Sequence, residues 1–248
     1  VIGARRTYTF YRKEKTTTRR VLSVVRWLVF IVLLYALITT FLVSSYVVET
    51  ETMSPLLAEE ERLFSSALPY GAQLPFLDGR LLGISEPARG DLAVVRLPYA
   101  REAGYGERVL DFFLRLGTGQ TYRRQPEREM ERRVVRRIVG LPGDTVRIQD
   151  FVAYVREPGS DSFTSELQLS PTRYEIVRPD LPDGWESQAP FGGTAPERTL
   201  GPNEYFVVAD NRAQAFDSRH FGPITGSAIL EKVVFRYWPM SRFGVPGN

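Results

Sequence analysis

Cysteine is absent from the 248 residues, so no disulfide framework and no thiolate metal site can form. That absence leaves the compartment open. Lysine is nearly absent too: Lys13, Lys15 and Lys232 are the only three, and His220 is the only histidine. Few side chains of the chain can therefore act as a base near neutral pH. The net charge of +3 is too small to argue for a nucleic-acid partner. No internal repeat or heptad array occurs, and only one long apolar run.

That run covers residues 27–48, WLVFIVLLYALITTFLVSSYVV, which are 22 residues without a charge. As a helix it would extend roughly 33 Å, enough to cross a bilayer core. Seven Lys or Arg and one acid fill the first 20 residues, and Arg26 adjoins the run. Glu49, Glu51, Glu59, Glu60 and Glu61 follow it. The positive-inside pattern predicts residues 1–26 in the cytoplasm and residues 49–248 outside. A cleavable signal peptide is the alternative. The length of the run and the lack of an A-x-A site after it favour an uncleaved anchor.

Residues 49–248 read as mainly β. DLAVVRL, VVRRIVG, DTVRIQDFVAYV, EYFVVAD and AILEKVVFRYW are short, β-branched and partly alternating. Turn signals such as Arg89-Gly90-Asp91 and Leu141-Pro142-Gly143-Asp144 bound them. Residues 101–133 break the pattern and read as a helix followed by a polar loop. Within them, residues 109–117 are apolar but short, suited to a core helix or a membrane surface. Residues 156–202 are rich in Pro, Gly and Ser and read as a long loop-rich excursion.

Four segments carry the chemistry. TETMSPLL (residues 50–57), RGDLAVV (89–95), RRIVGLPGD (136–144) and ADNRAQAFDSRHFGPI (209–224) follow the apolar run in that order. In order and spacing they resemble the bacterial type I signal peptidases, membrane-bound Ser-Lys endopeptidases with the patterns S-G-S-M-x-P-T-L, R-G-D, K-R-hydrophobic-V-G-L-P-G-D and G-D-N-R-x-x-S-x-D-S-R-x-x-G. GLPGD and DSRHFG together are specific, whereas a lone M-x-P is weak. The resemblance implies a signal-peptidase-like β domain behind a single N-terminal transmembrane helix, with the excursion inserted. It implies no metal and no cofactor.

By resemblance, Thr52 stands at the nucleophile position, Arg136 at the general-base position and Thr50 at the oxyanion position. Ala215 stands where a serine orients the base. Tyr46, Val48, Met53, Leu57 and Val135 stand where shallow apolar pockets hold small substrate residues, with core packing as the plain alternative for each. Asp144, Asp210, Arg212, Asp217 and Arg219 belong to the structural motif, Asp217 expected to pair with Arg219 or Arg212.

The departures fall on the chemistry. A serine or threonine hydroxyl needs a base beside it. Buried lysine serves, because desolvation lowers its pKa. A guanidinium with a pKa above about 12 has a neutral fraction of roughly 10⁻⁵ or less near neutral pH. Ala215 offers no hydroxyl to aim a base. Glu51 replaces a glycine and is expected to crowd the loop and to keep a neighbouring amine charged. His220 reads as structural and Lys232 as solvated.

Three functions fit this pattern. The first is an endopeptidase using Thr52. The second is a catalytically impaired relative that still binds signal-peptide-bearing preproteins along a strand edge, alone or with an active paralogue or the export machinery. The third is a structural β domain anchored in membrane lipid. A bacterial cytoplasmic-membrane location is common to all three.

Overall fold

Sheet pairing selects the alternating and β-branched stretches, and the turns between them set the layers. The structure, a computed structural model, describes residues 14–38, 43–71, 80–99, 104, 106–107, 109–110, 113–114, 133–180, 184 and 193–247. Most of residues 101–133 therefore lies outside the described residues. The chain divides into two units, Val1–Thr39 and Thr40–Asn248.

The first unit contains helix α1, Glu14–Leu37. Val21, Leu22, Val25, Trp27, Phe30, Leu33 and Leu34 are all exposed on it. Among the described residues, no helix is long and apolar enough to cross a membrane; Arg19, Arg20 and Arg26 lie within α1. The expected span over residues 27–48 is not one helix. Its end forms strand β1, Ser44–Val47, in the second unit. Tyr46 and Val47 suit a pleated surface, and β1 pairs antiparallel with β2, Arg62–Ser66.

The remaining strands of the second unit are β3 Leu92–Arg96, β4 Arg133–Gly140, β5 Thr145–Gln149, β6 Val152–Arg156, β7 Thr164–Ser165, β8 Ala195–Thr199, β9 Glu204–Val208, β10 Ile224–Thr225 and β11 Ile229–Trp238. A seven-stranded sheet runs β1-β2-β11-β3-β4-β9-β10 and a four-stranded sheet runs β7-β6-β5-β8. Every named strand pair is antiparallel. The loop-rich reading of residues 156–202 is thus only partly right. They supply the two edge strands of the smaller sheet, β7 and β8, and a four-residue helix α2, Glu166–Leu169. Strands this short carry too little periodicity to stand out among Pro and Gly.

β1 and β4 are four steps apart in the large sheet, about 19 Å if it were flat. Yet the Tyr46 hydroxyl donates to the Arg133 carbonyl at 2.8 Å. The sheet therefore curls, and β1 faces β4 across its concave side. Inside the curl lie Met53, Leu57, Leu63 and Val94, each at most 1% exposed. Burial of side chains of this size contributes about 1.5–3 kcal/mol each. At Gly140 an added Cβ would meet Leu200 and Val146 side-chain atoms at 2.8 Å, so only glycine fits where β4 crosses the smaller sheet's core.

Candidate active site

Thr52 sits in a single 3₁₀ turn, Glu51–Met53, directly after β1. Asn211 fixes that turn from the far side. Its backbone N–H donates to the Thr52 carbonyl at 2.9 Å, and its side-chain amide donates to the Glu51 carbonyl at 3.2 Å. Met53 and Leu57 pin the turn into the curl.

Arg136 is the fourth residue of β4 and is 3% exposed. One guanidinium nitrogen donates to Thr52 Oγ1 at 3.1 Å and to the Val135 carbonyl at 2.7 Å. The other donates to the Phe216 carbonyl at 3.1 Å. Its Nε is buried without a hydrogen-bond partner. Burial pulls the guanidinium below its ordinary pKa, and Asp217 is the foremost charge opposing that. Thr50 Oγ1 lies 3.0 Å from Thr52 Oγ1, so one hydroxyl donates a hydrogen bond to the other.

The structure brings Thr50, Thr52, Arg136 and Ala215 to one place, Ala215 adjoining the carbonyl that holds Arg136. Val48, Met53, Leu57, Val135 and Ala215 belong to one buried apolar cluster, with Tyr46 packed against it. β9 pairs with β4 only from Arg137 onward. Among the described residues, Arg133–Val135 have β3 on one side and no strand on the other. β1 with the Thr52 turn thus faces this edge of β4, whose Arg133 and Val135 carbonyls accept from the Tyr46 hydroxyl and the Arg136 guanidinium; a peptide added along this edge displaces those two donors.

Glu51 departs from expectation: it is exposed, and Asp217 supports the buried charge instead. Lys232 stays partly exposed, and its amine pairs with Asp91 at 2.7 Å. His220 lies on helix α3, Ser218–Phe221, where its Nδ1 accepts from the Asp217 N–H at 3.4 Å in a capping box. Burial lowers its pKa.

The motif acids and arginines hold loops. Asp144 pairs with Arg89 at 3.0 Å and accepts from the Leu141 N–H at 2.7 Å. Asp210 receives a two-pronged contact from Arg137, at 2.8 and 2.6 Å. Arg212 donates to Glu166 at 2.7 Å. Asp217 accepts from Arg219 Nε at 2.9 Å and from the Ala209 N–H at 3.0 Å. Arg219 also reaches the Arg212 and Ala215 carbonyls, closing the loop that ends at Phe216. Tyr99 and Phe216 were not legible from the motifs. Their rings lie 5.7 Å apart, and the Phe216 carbonyl holds the guanidinium.

Burial alone would raise the Asp217 pKa, but Arg219 and the Ala209 N–H overcome it and leave the carboxyl below its ordinary value. A depressed folded pKa gives stability that is complete above the unfolded value and lost as pH falls through the folded one. Asp217→Asn should therefore cost about 3 kcal/mol near neutral pH. The gap from wild type should close well below about pH 4. Urea unfolding at neutral and strongly acid pH measures it, and a gap unchanged by acid contradicts the assignment.

Nothing described near Thr52 can take its proton. The guanidinium only donates, and both Asp217 oxygens are engaged. The geometry suits holding an extended chain and stabilising negative charge.

A family model for signal peptidase, peptidase S26, matches residues 21–238. The chain is 26% identical over 235 residues to signal peptidase I of Bacillus amyloliquefaciens, covering 93% of this chain and 96% of that one. It is 34% identical over 109 residues to signal peptidase I of Bacillus caldolyticus, covering 44% and 56%. With signal peptidase I of Rickettsia bellii (strain OSU 85-389) it shares 26% identity over 214 residues, covering 77% and 64%. The last two matches span under two thirds of those relatives' length. The family match over most of the chain decides the matter: this protein belongs to the signal peptidase family, peptidase S26.

Proposed function

We propose that the protein binds the extended end of signal-peptide-bearing preproteins in the cleft between β1 and β4, and that its proteolytic chemistry is switched off. One observation carries this reading: the buried Arg136 guanidinium donates to Thr52 Oγ1 at 3.1 Å. A group that donates there cannot withdraw the proton, so Thr52 stays a neutral, weak nucleophile. The open edge of Arg133–Val135 supports strand addition by a peptide, and the apolar cluster beside it suits small side chains.

Membrane anchoring is part of the proposal. The apolar part of α1 from Trp27 onward, its basic flank and its exposed apolar surface support a single-pass anchor. The N-terminus then lies in the cytoplasm and the β unit outside, in a bacterial cytoplasmic membrane. An active endopeptidase working through Thr52 is the second reading. The retained Thr52 and Thr50 hydroxyls favour it.

Arg136 also occupies the Val135 carbonyl, an acceptor on the open edge. Arg136→Met keeps the apolar stem and removes the donors. Binding of a labelled signal-peptide segment to the full chain in detergent should be measurable, and roughly fivefold tighter in Arg136→Met. Absence of binding overturns the reading. Cleavage that vanishes in Thr52→Ala supports the second one.

A further inference from the structure

The two ends of the cleft differ in chemistry. At the Thr52 end apolar side chains adjoin two hydroxyls and the Arg136 guanidinium. At the Tyr46 end a carboxylate lies on the same face of the curled sheet. Glu231 stands in register with Val94, which stands in register with Val135. Its side chain is 13% exposed. One carboxylate oxygen accepts from the Ser65 hydroxyl. The other lies 3.7 Å from the Arg133 guanidinium, which is itself 47% exposed. That separation is beyond hydrogen-bond length, and an ion pair this loose, with an exposed guanidinium, holds its partner weakly. The oxygen near Arg133 therefore has room for a better donor.

An extended peptide beside β4 keeps step with it, about 3.3 Å per residue, with alternate side chains on one face. Arg133 and Val135 are two residues apart, so a bound peptide spans the same interval in two residues. We infer that the cleft selects a peptide with a basic side chain two residues from the one held at Thr52, and that Glu231 reads it. The inference rests on the peptide-binding reading above. The aliphatic stem lies along Tyr46 and Val135 while its charged head reaches Glu231 and displaces Arg133 to solvent. An aliphatic residue of the same length leaves the carboxylate with only Ser65 and the loose pair.

The test uses two extended peptides that differ only at this position, lysine in one and norleucine in the other, titrated against the full chain in detergent. The lysine peptide should bind roughly tenfold tighter. Glu231→Gln keeps an acceptor for Ser65 and should bring the two affinities together. Arg133→Ala removes the competing cation and should widen the preference. Equal affinities in wild type and Arg133→Ala overturn the inference while leaving the cleft a peptide site. So does a preference that survives Glu231→Gln. If neither peptide binds, the peptide-site reading fails and takes this inference with it.

Discussion

Purified protein should leave a signal-peptide-bearing preprotein uncut at about pH 7.5, while Thr52→Ser, Arg136→Lys and Ala215→Ser combined should give detectable cleavage. The reasoning starts from the proton. Arg136 lies against Thr52 Oγ1 but only donates. Its neutral fraction near neutral pH is roughly 10⁻⁵ or less at an ordinary guanidinium pKa, and Asp217 opposes the downward pull of burial. A lysine in the same buried position would feel the same desolvation from a lower starting pKa, which brings an amine towards a useful base. Thr52→Ser alone should restore nothing, because the base is still missing. Arg136→Lys alone should do little, because Ala215 gives the amine no hydroxyl to aim it. Groups that act as a unit are strongly non-additive, so the triple variant should exceed the sum of its parts. Glu51 is exposed, so Glu51→Gly is not required, contrary to the expectation from sequence. Wild-type cleavage that disappears in Thr52→Ala would overturn the proposal and make Thr52 a working nucleophile. A triple variant that folds and binds peptide but does not cut would place the loss of chemistry elsewhere.

The legible parts of the molecule were those whose signal is local. RRIVGLPGD and DSRHFG place a strand end, a tight turn and a capping box within a few residues, and each is formed by its own neighbours. DLAVVRL, EYFVVAD and AILEKVVFRYW likewise became β3, β9 and β11. What stayed hidden was either marked by unusual residues or set by distant partners. DTVRIQDFVAYV is a hairpin, β5 and β6, whose turn residues Asp150 and Phe151 both take positive φ, 49° and 62°. Phe151 is a poor sequence signal for such a turn, which asparagine and glycine usually mark. Ser44–Val47 looked like the end of an apolar helix because hydropathy cannot distinguish an apolar strand from one. Pairing with β2 decides it. In the site, the motif located Thr52 and Arg136. It could not show that the guanidinium would bridge the nucleophile position and the strand edge, nor that Glu231, on the last long strand, would face the same concave surface.

Glu166 had no motif around it, yet Glu166→Ala should cost about 3–5 kcal/mol in urea unfolding. Its side chain is 1% exposed and every contact it makes is to a different part of the β unit. One oxygen accepts from the Ala153 N–H on β6 at 2.7 Å. The other accepts from the Tyr174 hydroxyl and from Arg212, each at 2.7 Å. Tyr174 in turn stacks under the Arg137 guanidinium at 3.7 Å, and Arg137 grips Asp210. The network therefore ties the small sheet to the Asp210–Arg212 segment, whose Asn211 holds the Thr52 turn. Removing the carboxylate leaves the Arg212 guanidinium charged and buried with, among the described residues, only the Phe151 carbonyl as a hydrogen-bond partner, and that poorly compensated charge supplies most of the cost. A buried ion pair pays heavily for desolvation, so the pair itself adds much less than its breakage removes. The double substitution Glu166→Leu with Arg212→Met should then recover part of the loss, since it removes both charges and fills the volume with apolar atoms. Peptide affinity should fall in Glu166→Ala and follow stability back in the double variant. A cost under about 1 kcal/mol for Glu166→Ala would show that the network is not under electrostatic load. A double variant no more stable than the single one would show that packing at Glu166, rather than its charge, holds the segment in place.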